Sequence, residues 1–202
     1  MNVLVVYAHP NRAGSLSGAF LQKVLEGMDA NGGELVYEVL DLYAEAFDPV
    51  LVFNQEKRRR DMHKDPELEK YRQQIIWADQ IVMVYPIWWG RPPAMLLGYI
   101  DKMFASNFAY RDKKGLLPEG LLKGKSAICI STMKGPTHYP LILHFNAHKM
   151  LMKRALFSYV GMKKVKFFEF GWMESKARGK HAKKLERIYQ YFRKQKVPAS
   201  SS

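Results

Sequence analysis

Five short apolar runs recur along this chain with helical patterns between them, and that alternation limits the fold more than any other feature. Val3–Tyr7 (VLVVY), Ile81–Tyr85 (IVMVY) and Ser126–Ile130 (SAICI) are apolar nearly throughout, as expected of strands buried on both faces. Leu35–Leu40, with a mixed face, and Val165–Phe170 (VKFFEF) complete the set. Between them Leu16, Phe20, Leu21, Val24, Leu25 and Met28 fall at helical spacing, and Asn31-Gly32-Gly33 stops the pattern. Asp65-Pro66-Glu67 opens a second helix carrying Leu68, Tyr71, Ile75 and Ile76, with Pro66 suited to a first turn. Met95, Leu96, Tyr99, Ile100 and Met103 form a third stripe. A long helix is predicted over about 143–159, and a basic final helix over 176–195. Residues 41–66 and 107–124 read as irregular, and Pro198–Ser202 as a frayed end.

Every strand-to-strand connection is long enough for a crossover. The expectation is therefore α/β: a doubly wound five-stranded parallel sheet with helices on both faces. It is read as one domain over 1–196, with 197–202 as a disordered tail. In such sheets ligands bind beyond the carboxyl ends of the strands, where the winding reverses.

Composition narrows the class. At 48% hydrophobic and 25% charged residues the chain is globular rather than disordered. The single cysteine, Cys129, cannot pair within the chain or build a thiolate metal cluster, which fits a reducing compartment. No apolar stretch approaches the roughly 20 residues of a membrane helix, and no basic segment precedes the first apolar run. The expectation is a soluble, cytoplasmic protein without a transmembrane segment. The charge is unusual: 32 Lys and Arg against 19 Asp and Glu give +13, and residues 163–196 carry much of the excess. Such a field draws anions without selecting among them. No recognition-helix, RNP or zinc pattern accompanies it, so no specific nucleic-acid partner is expected.

Three strand-end loops hold the chemistry. The first, Ala8 to Ser17, is neither GxGxxG nor a P-loop. It offers His9, Arg12, Ser15, Ser17 and the backbone N–H groups from Leu16 at a helix start, where a phosphate is stabilised by partial positive charge. The alternative is an N-cap serine beside a polar loop histidine. The second loop, Pro86-Ile87-Trp88-Trp89-Gly90-Arg91-Pro92-Pro93, places two tryptophans outside any helical stripe. They must pack on a planar ligand, a partner subunit or the protein's own core. The third, Ser131-Thr132-Met133-Lys134-Gly135-Pro136-Thr137-His138-Tyr139-Pro140, supplies hydroxyls, one cation and a His-Tyr pair.

The order of these motifs resembles the flavodoxin-like NAD(P)H:quinone oxidoreductases. That family includes the bacterial general-stress-protein-14-like and KefF-like reductases and the mammalian quinone reductases. The markers are His9-Pro10…Ser15-x-Ser17, Pro86-x-Trp88-Trp89…Pro93-Ala94…Asp101, Phe108-Ala109-Tyr110 and Ser131-Thr132, spread over about residues 3–172. The chain departs from many relatives in having Leu97 where they have a lysine, and its third loop is less glycine-rich than the mammalian one. The resemblance implies a flavin, FMN in preference to FAD, with its phosphate at His9, Arg12 and Ser15–Ser17. The ring would lie between Pro86–Gly90 and Ser131–Gly135, where backbone donors and Lys134 would stabilise charge on the reduced ring.

It further implies NAD(P)H as hydride donor to flavin N5, a quinone, nitro or azo acceptor in ping-pong order, and a homodimer. Phe108–Tyr110 or loop 41–66 would then lie near the subunit contact. Tyr139 takes the place of the family's tyrosine beside the flavin. The partner histidine of the mammalian enzymes has no clean counterpart: His138 is the candidate, with a solvated loop residue as the alternative reading, and neither it nor His144 stands at the family spacing. Two alternatives remain: a flavodoxin-type electron carrier, which the positive charge disfavours, and a regulatory flavoprotein of a potassium-efflux system. Lys57–Arg60 reads as a solvated loop and Cys129 as a buried hydrophobe.

Overall fold

The computed structural model describes residues 1–55, 58–113, 118–138, 142, 145–173 and 181–197. Strands β1 (Asn2–Tyr7), β2 (Val36–Asp41), β3 (Gln80–Pro86), β6 (Ser126–Thr132) and β7 (Lys164–Phe170) form one parallel sheet. Its order is β2-β1-β3-β6-β7, so the winding reverses between β1 and β3. The sheet is the doubly wound five-stranded parallel arrangement that the apolar runs predict.

Helices α1 (Leu16–Asp29) and α5 (Ala182–Arg193) cover one face. The other is covered by α2 (Glu69–Trp77), α3 (Ala94–Met103) and the segment formed by α4 (Ala147–Lys149) and a π-helical run (Met150–Ser158). Strand alternation explains why β1 is apolar throughout. Val3, Val5 and Tyr7 face the α1 side, while Leu4 and Val6 face the α2 side, and all five are buried. Phe20 of α1 stacks on Phe170 of β7, with ring centroids 4.3 Å apart and planes at 14°. Gly27 admits α5 so closely that a Cβ there would lie 2.6 Å from the Tyr189 carbonyl.

The structure revises several expected boundaries. Strand β6 runs two residues past Ile130, because Ser131 and Thr132 pair with Tyr85 and Pro86 on one side and with Glu169 and Phe170 on the other. These hydroxyl residues therefore belong to the sheet, where a sequence reading weighted by polarity ends it early. Within the expected loop 107–124, β4 (Tyr110–Arg111) and β5 (Glu119–Gly120) make a small antiparallel ribbon, while 114–117 lie outside the described residues. The predicted helix over 143–159 is seen from Ala147, and only its first turn is α-helical. The basic final helix is seen from Ala182 to Arg193, and 174–180 lie outside the described residues, as do Lys57 and 198–202 of the expected tail.

Because Phe20 is wholly buried and stacked, Phe20→Ala should cost about 3–5 kcal/mol through lost transfer energy and a cavity. Urea unfolding followed by far-UV circular dichroism checks this, and a midpoint close to wild type would contradict the packing described.

Candidate active site

At the carboxyl edge of β1, β3 and β6 the chain opens a crevice of about 330 Å³. That volume lies at the low end of small-molecule sites and suits a ligand held partly outside it. One end is the start of α1. Ser15 is its N-cap: its Oγ accepts from the Gly18 N–H at 2.9 Å, and its carbonyl accepts from Ala19. The remaining first-turn amides belong to Leu16 and Ser17, both crevice residues, and helix geometry gives them no intrahelical acceptor. The loop before the helix is folded tightly onto itself. Asn11 Oδ1 accepts from the Gly14 N–H at 2.6 Å, and the Asn11 N–H donates to His9 Nδ1 at 3.0 Å. A Cβ on Gly18 would lie 1.8 Å from the Arg12 carbonyl, so only glycine lets the loop lie against the helix there.

The middle of the crevice is fixed by three strand exits. Ser17 Oγ and Thr132 Oγ1 share a buried hydrogen bond of 2.8 Å, tying α1 to β6. The Ile87 N–H donates to the Thr132 carbonyl at 2.7 Å, which closes β3 onto β6 one residue past the sheet ladder. Beyond β6, the Met133 N–H donates to Phe170, and the N–H groups of Met173 and Trp172 donate to the Met133 and Gly135 carbonyls. The third loop is therefore backed by the exit of β7, and a Cβ on Gly171 would lie 2.5 Å from the Thr137 nitrogen.

His9 and Trp88 meet edge-on across the mouth, with ring centroids 5.9 Å apart. Burial holds the His9 imidazole below its ordinary value, and an Nδ1 that accepts a hydrogen bond leaves Nε2–H as the remaining donor. Burial likewise pushes up the Tyr7 phenol, whose OH lies 3.2 Å from Ser15 Oγ, so Tyr7 stays neutral.

Of the residues singled out from sequence, His9, Ser15, Leu16, Ser17, Pro86, Ile87, Trp88, Thr132, Met133 and Lys134 line this crevice together. The others lie elsewhere. Arg12 is half exposed and pairs with Asp41 at 3.5 Å, drawn off by the nearest carboxylate. Trp89 and Gly90 form a two-residue turn, with φ of 52° and 72°, closed by mutual backbone hydrogen bonds between Trp88 and Arg91. This leaves the Trp89 side chain in solvent, 95% exposed. Ser131 points to the opposite face of the sheet, and Gly135 contributes its carbonyl to Trp172. His138 is exposed, its carbonyl accepting from Ile142, and Tyr139 lies outside the described residues.

Sequence reading passed over Asn11, Gly14 and Met173, which also line the crevice. The first two sat in a loop already under scrutiny. Met173 follows the fifth strand, whose exit the parallel topology should have put on the same footing as the other three.

The architecture defines a flavodoxin-like α/β protein with a crevice at the β1/β3 reversal. Comparison carries the assignment further. Residues 1–192 match the family described as having a flavodoxin-like fold. A protein of Haemophilus influenzae named "Uncharacterized NAD(P)H oxidoreductase" is 30% identical over 174 residues, covering 85% of this chain and 84% of that protein. Smu.1420 of Streptococcus mutans has a similar structure, with a TM-score of 0.87 and 37% identity, covering 96% of this chain and 100% of that one. The NAD(P)H:quinone oxidoreductase of Methanothermobacter marburgensis gives a TM-score of 0.81 at 26% identity, covering 96% and 98%. The chain belongs to the flavodoxin-like NAD(P)H oxidoreductases, a family of enzymes.

The His9 environment makes a measurable prediction. A folded-state value below 6.5 means that the unfolded chain binds the proton more readily. The group's stabilising effect is therefore present above about pH 6.5 and is lost as pH falls toward the lowered value. Histidine NMR should give His9 a midpoint below 6.5, and Trp88→Ala should move it back toward 6.5 by readmitting water. An unchanged midpoint in the variant would remove Trp88 from the cause.

Proposed function

We propose that this protein is a flavin-dependent NAD(P)H oxidoreductase whose acceptor is a quinone, nitro or azo compound. The observation that carries the reading is the crevice, which joins an anion-binding helix start to an apolar slot walled by Pro86, Ile87 and Trp88. The residues present fit a flavin mononucleotide. The Leu16 and Ser17 amides, the Ser15 hydroxyl and His9 Nε2–H would hold the phosphate. Ile87 and Trp88 would wall one side of the ring, and Met133, Lys134 and their backbone the other. A bound flavin supplies two-electron redox chemistry between NAD(P)H and the acceptor, each using the same open face in turn, which is a ping-pong order.

The chain's own part is positioning and electrostatics. Trp88 and Ile87 exclude water from the ring wall. The Lys134 cation and the donors of the third loop stabilise negative charge at the ring edge. By the resemblance, Tyr139 would hydrogen-bond the acceptor or give it a proton. FMN is preferred to the larger FAD, as the resemblance implies. A second copy of the chain as partner, as the resemblance implies, would cover the apolar Val50, Val52 and Phe53, all exposed within loop 41–66. We read 1–196 as one functional domain, acting in the cytoplasm. No helix among the described residues is long and apolar enough to cross a membrane.

Purified protein should be yellow or take up FMN at micromolar concentration, and NAD(P)H should bleach it in the absence of oxygen. Colourless protein that ignores added FMN and FAD would refute the reading. Trp88→Ala should weaken flavin binding by about five- to thirtyfold, for the loss of a ring wall worth on the order of 1–2 kcal/mol, and lower quinone reduction with it. Tyr139→Phe should retain the flavin and slow turnover, and equal rates would remove the hydroxyl from the reaction.

A further inference from the structure

On the face of the sheet opposite the phosphate loop, a polar cluster lies where the core is otherwise apolar. His148, 1% exposed, places Nε2 2.7 Å from the Tyr85 hydroxyl and Nδ1 3.2 Å from Glu169 Oε1. Lys149 Nζ lies 2.5 Å from the other oxygen of Glu169. The register shows what these contacts span. Tyr85 of β3 pairs with Ser131 of β6, and Ser131 pairs with Glu169 of β7, so the three form one row across the sheet. His148 reaches over that row and bonds its two ends. Ser131, in the middle, is fully buried, and its Oγ finds no hydrogen-bond partner among the described residues. The next row, Pro86–Thr132–Phe170, is where the crevice begins.

The chemistry of each group fits a fixed bridge. Burial first, then Cys129 and Glu169 nearby, raise the Tyr85 phenol well above its ordinary value, so it remains an O–H donor to Nε2. Nδ1–H then donates to the carboxylate. Burial alone would push Glu169 up, but the hydrogen bonds from His148 and Lys149 and the Lys149 charge outweigh it and hold Glu169 ionised, below the usual range. The Cys129 thiol on the same face is pushed to about 12 by burial and stays protonated. Phe167 of β7 packs edge-on against the imidazole at 6.0 Å.

A buried tyrosine, imidazole and ion pair is seldom more stable than well-packed apolar side chains of the same size. What it adds is direction: two hydrogen bonds fix distances that dispersion contacts leave loose. The backbone entering α4 also holds two successive residues, Phe145 and Asn146, at φ of 48° and 57°. That strain persists only where neighbouring contacts enforce it.

We propose that His148 is a positioning residue for the active-site crevice, an imidazole staple that holds the exits of β3 and β7 at a fixed separation across Ser131 of β6. The walls Ile87–Trp88 and Met133–Lys134 continue directly from the stapled row, so the staple sets the width of the slot between them. It does not touch the α1 start, so the anion-binding end is independent of it. The consequence for catalysis rests on the flavin reading above, whereas the structural part does not.

The test compares His148→Phe, which keeps the ring shape and removes both hydrogen bonds, with His148→Gln, which keeps an acceptor and a donor. Tyr85→Phe, which deletes one hydroxyl, serves as the second variant should His148→Phe fold poorly. In the flavin-free protein, NMR hydrogen exchange should be at least about tenfold faster at the Ile87 and Met133 amides in His148→Phe. The Gly18 amide at the α1 start should keep its wild-type rate. His148→Gln should lie within about threefold of wild type at all three positions. With FMN added, His148→Phe should keep its FMN Kd within about threefold and lose roughly 10- to 100-fold in kcat for quinone reduction, the scale expected of a misplaced reacting pair.

Unchanged Ile87 and Met133 exchange in folded His148→Phe and Tyr85→Phe, or an equal rise at Gly18, would overturn the staple. A parallel loss of FMN affinity would overturn it too, by making the cluster a general support. Altered exchange at Ile87 and Met133 in a protein that binds no flavin would uphold the staple and remove the flavin reading instead.

Discussion

A parallel sheet covered by helices on both faces has no room for polar chemistry except at its ends. Here that constraint is severe: all seven residues of β3 are buried, as are six of the seven in β6. Polar groups therefore collect at the carboxyl edge, where the chain must leave the sheet and its backbone donors lose their ladder partners. The reversal between β1 and β3 sends the flanking loops to opposite faces and leaves a gap between them. The crevice is that gap, and the Ile87–Thr132 and Ser17–Thr132 hydrogen bonds keep it from collapsing.

The two ends of the crevice are held by different means, which suits two different tasks. The α1 end is mostly backbone: an N-cap, a tight Asn11 turn and a glycine pressed against a carbonyl. The opposite end rests on side chains, Trp88 against His9 at the mouth and His148 beneath the strand exits. A ligand can be anchored by the first while the second adjusts how closely a planar group is gripped.

Much of this was legible in the sequence, and the failures have physical reasons. The runs VLVVY, IVMVY and SAICI announce buried strands because they are short, almost wholly apolar and bounded by loop residues, and the motifs after them sit at their exits as the topology requires. Ser131 reads as a loop hydroxyl because polarity marks strand ends, yet its backbone pairs on both sides and its side chain turns away from the crevice. Arg12 reads as a phosphate ligand because it stands in the right loop, and Asp41, distant in sequence and at the end of β2, takes it. Trp88 and Trp89 are alike in sequence, but a turn with positive φ at Trp89 and Gly90 separates them, one into the crevice and one into water. His148 carried no signal: an isolated histidine in a helical pattern says nothing about the tyrosine 63 residues earlier that it bonds.

Local periodicity and strand-exit composition were enough to determine a doubly wound sheet and the three loops at its strand exits. Both depend on near neighbours in the chain, and those interactions are written in order. Which side chains enter the crevice, which are drawn off by a distant partner, and which brace it from behind were decided only by tertiary structure. Those outcomes depend on cross-strand register and on pairs such as Arg12–Asp41 and Tyr85–His148, whose members meet only after the sheet has assembled.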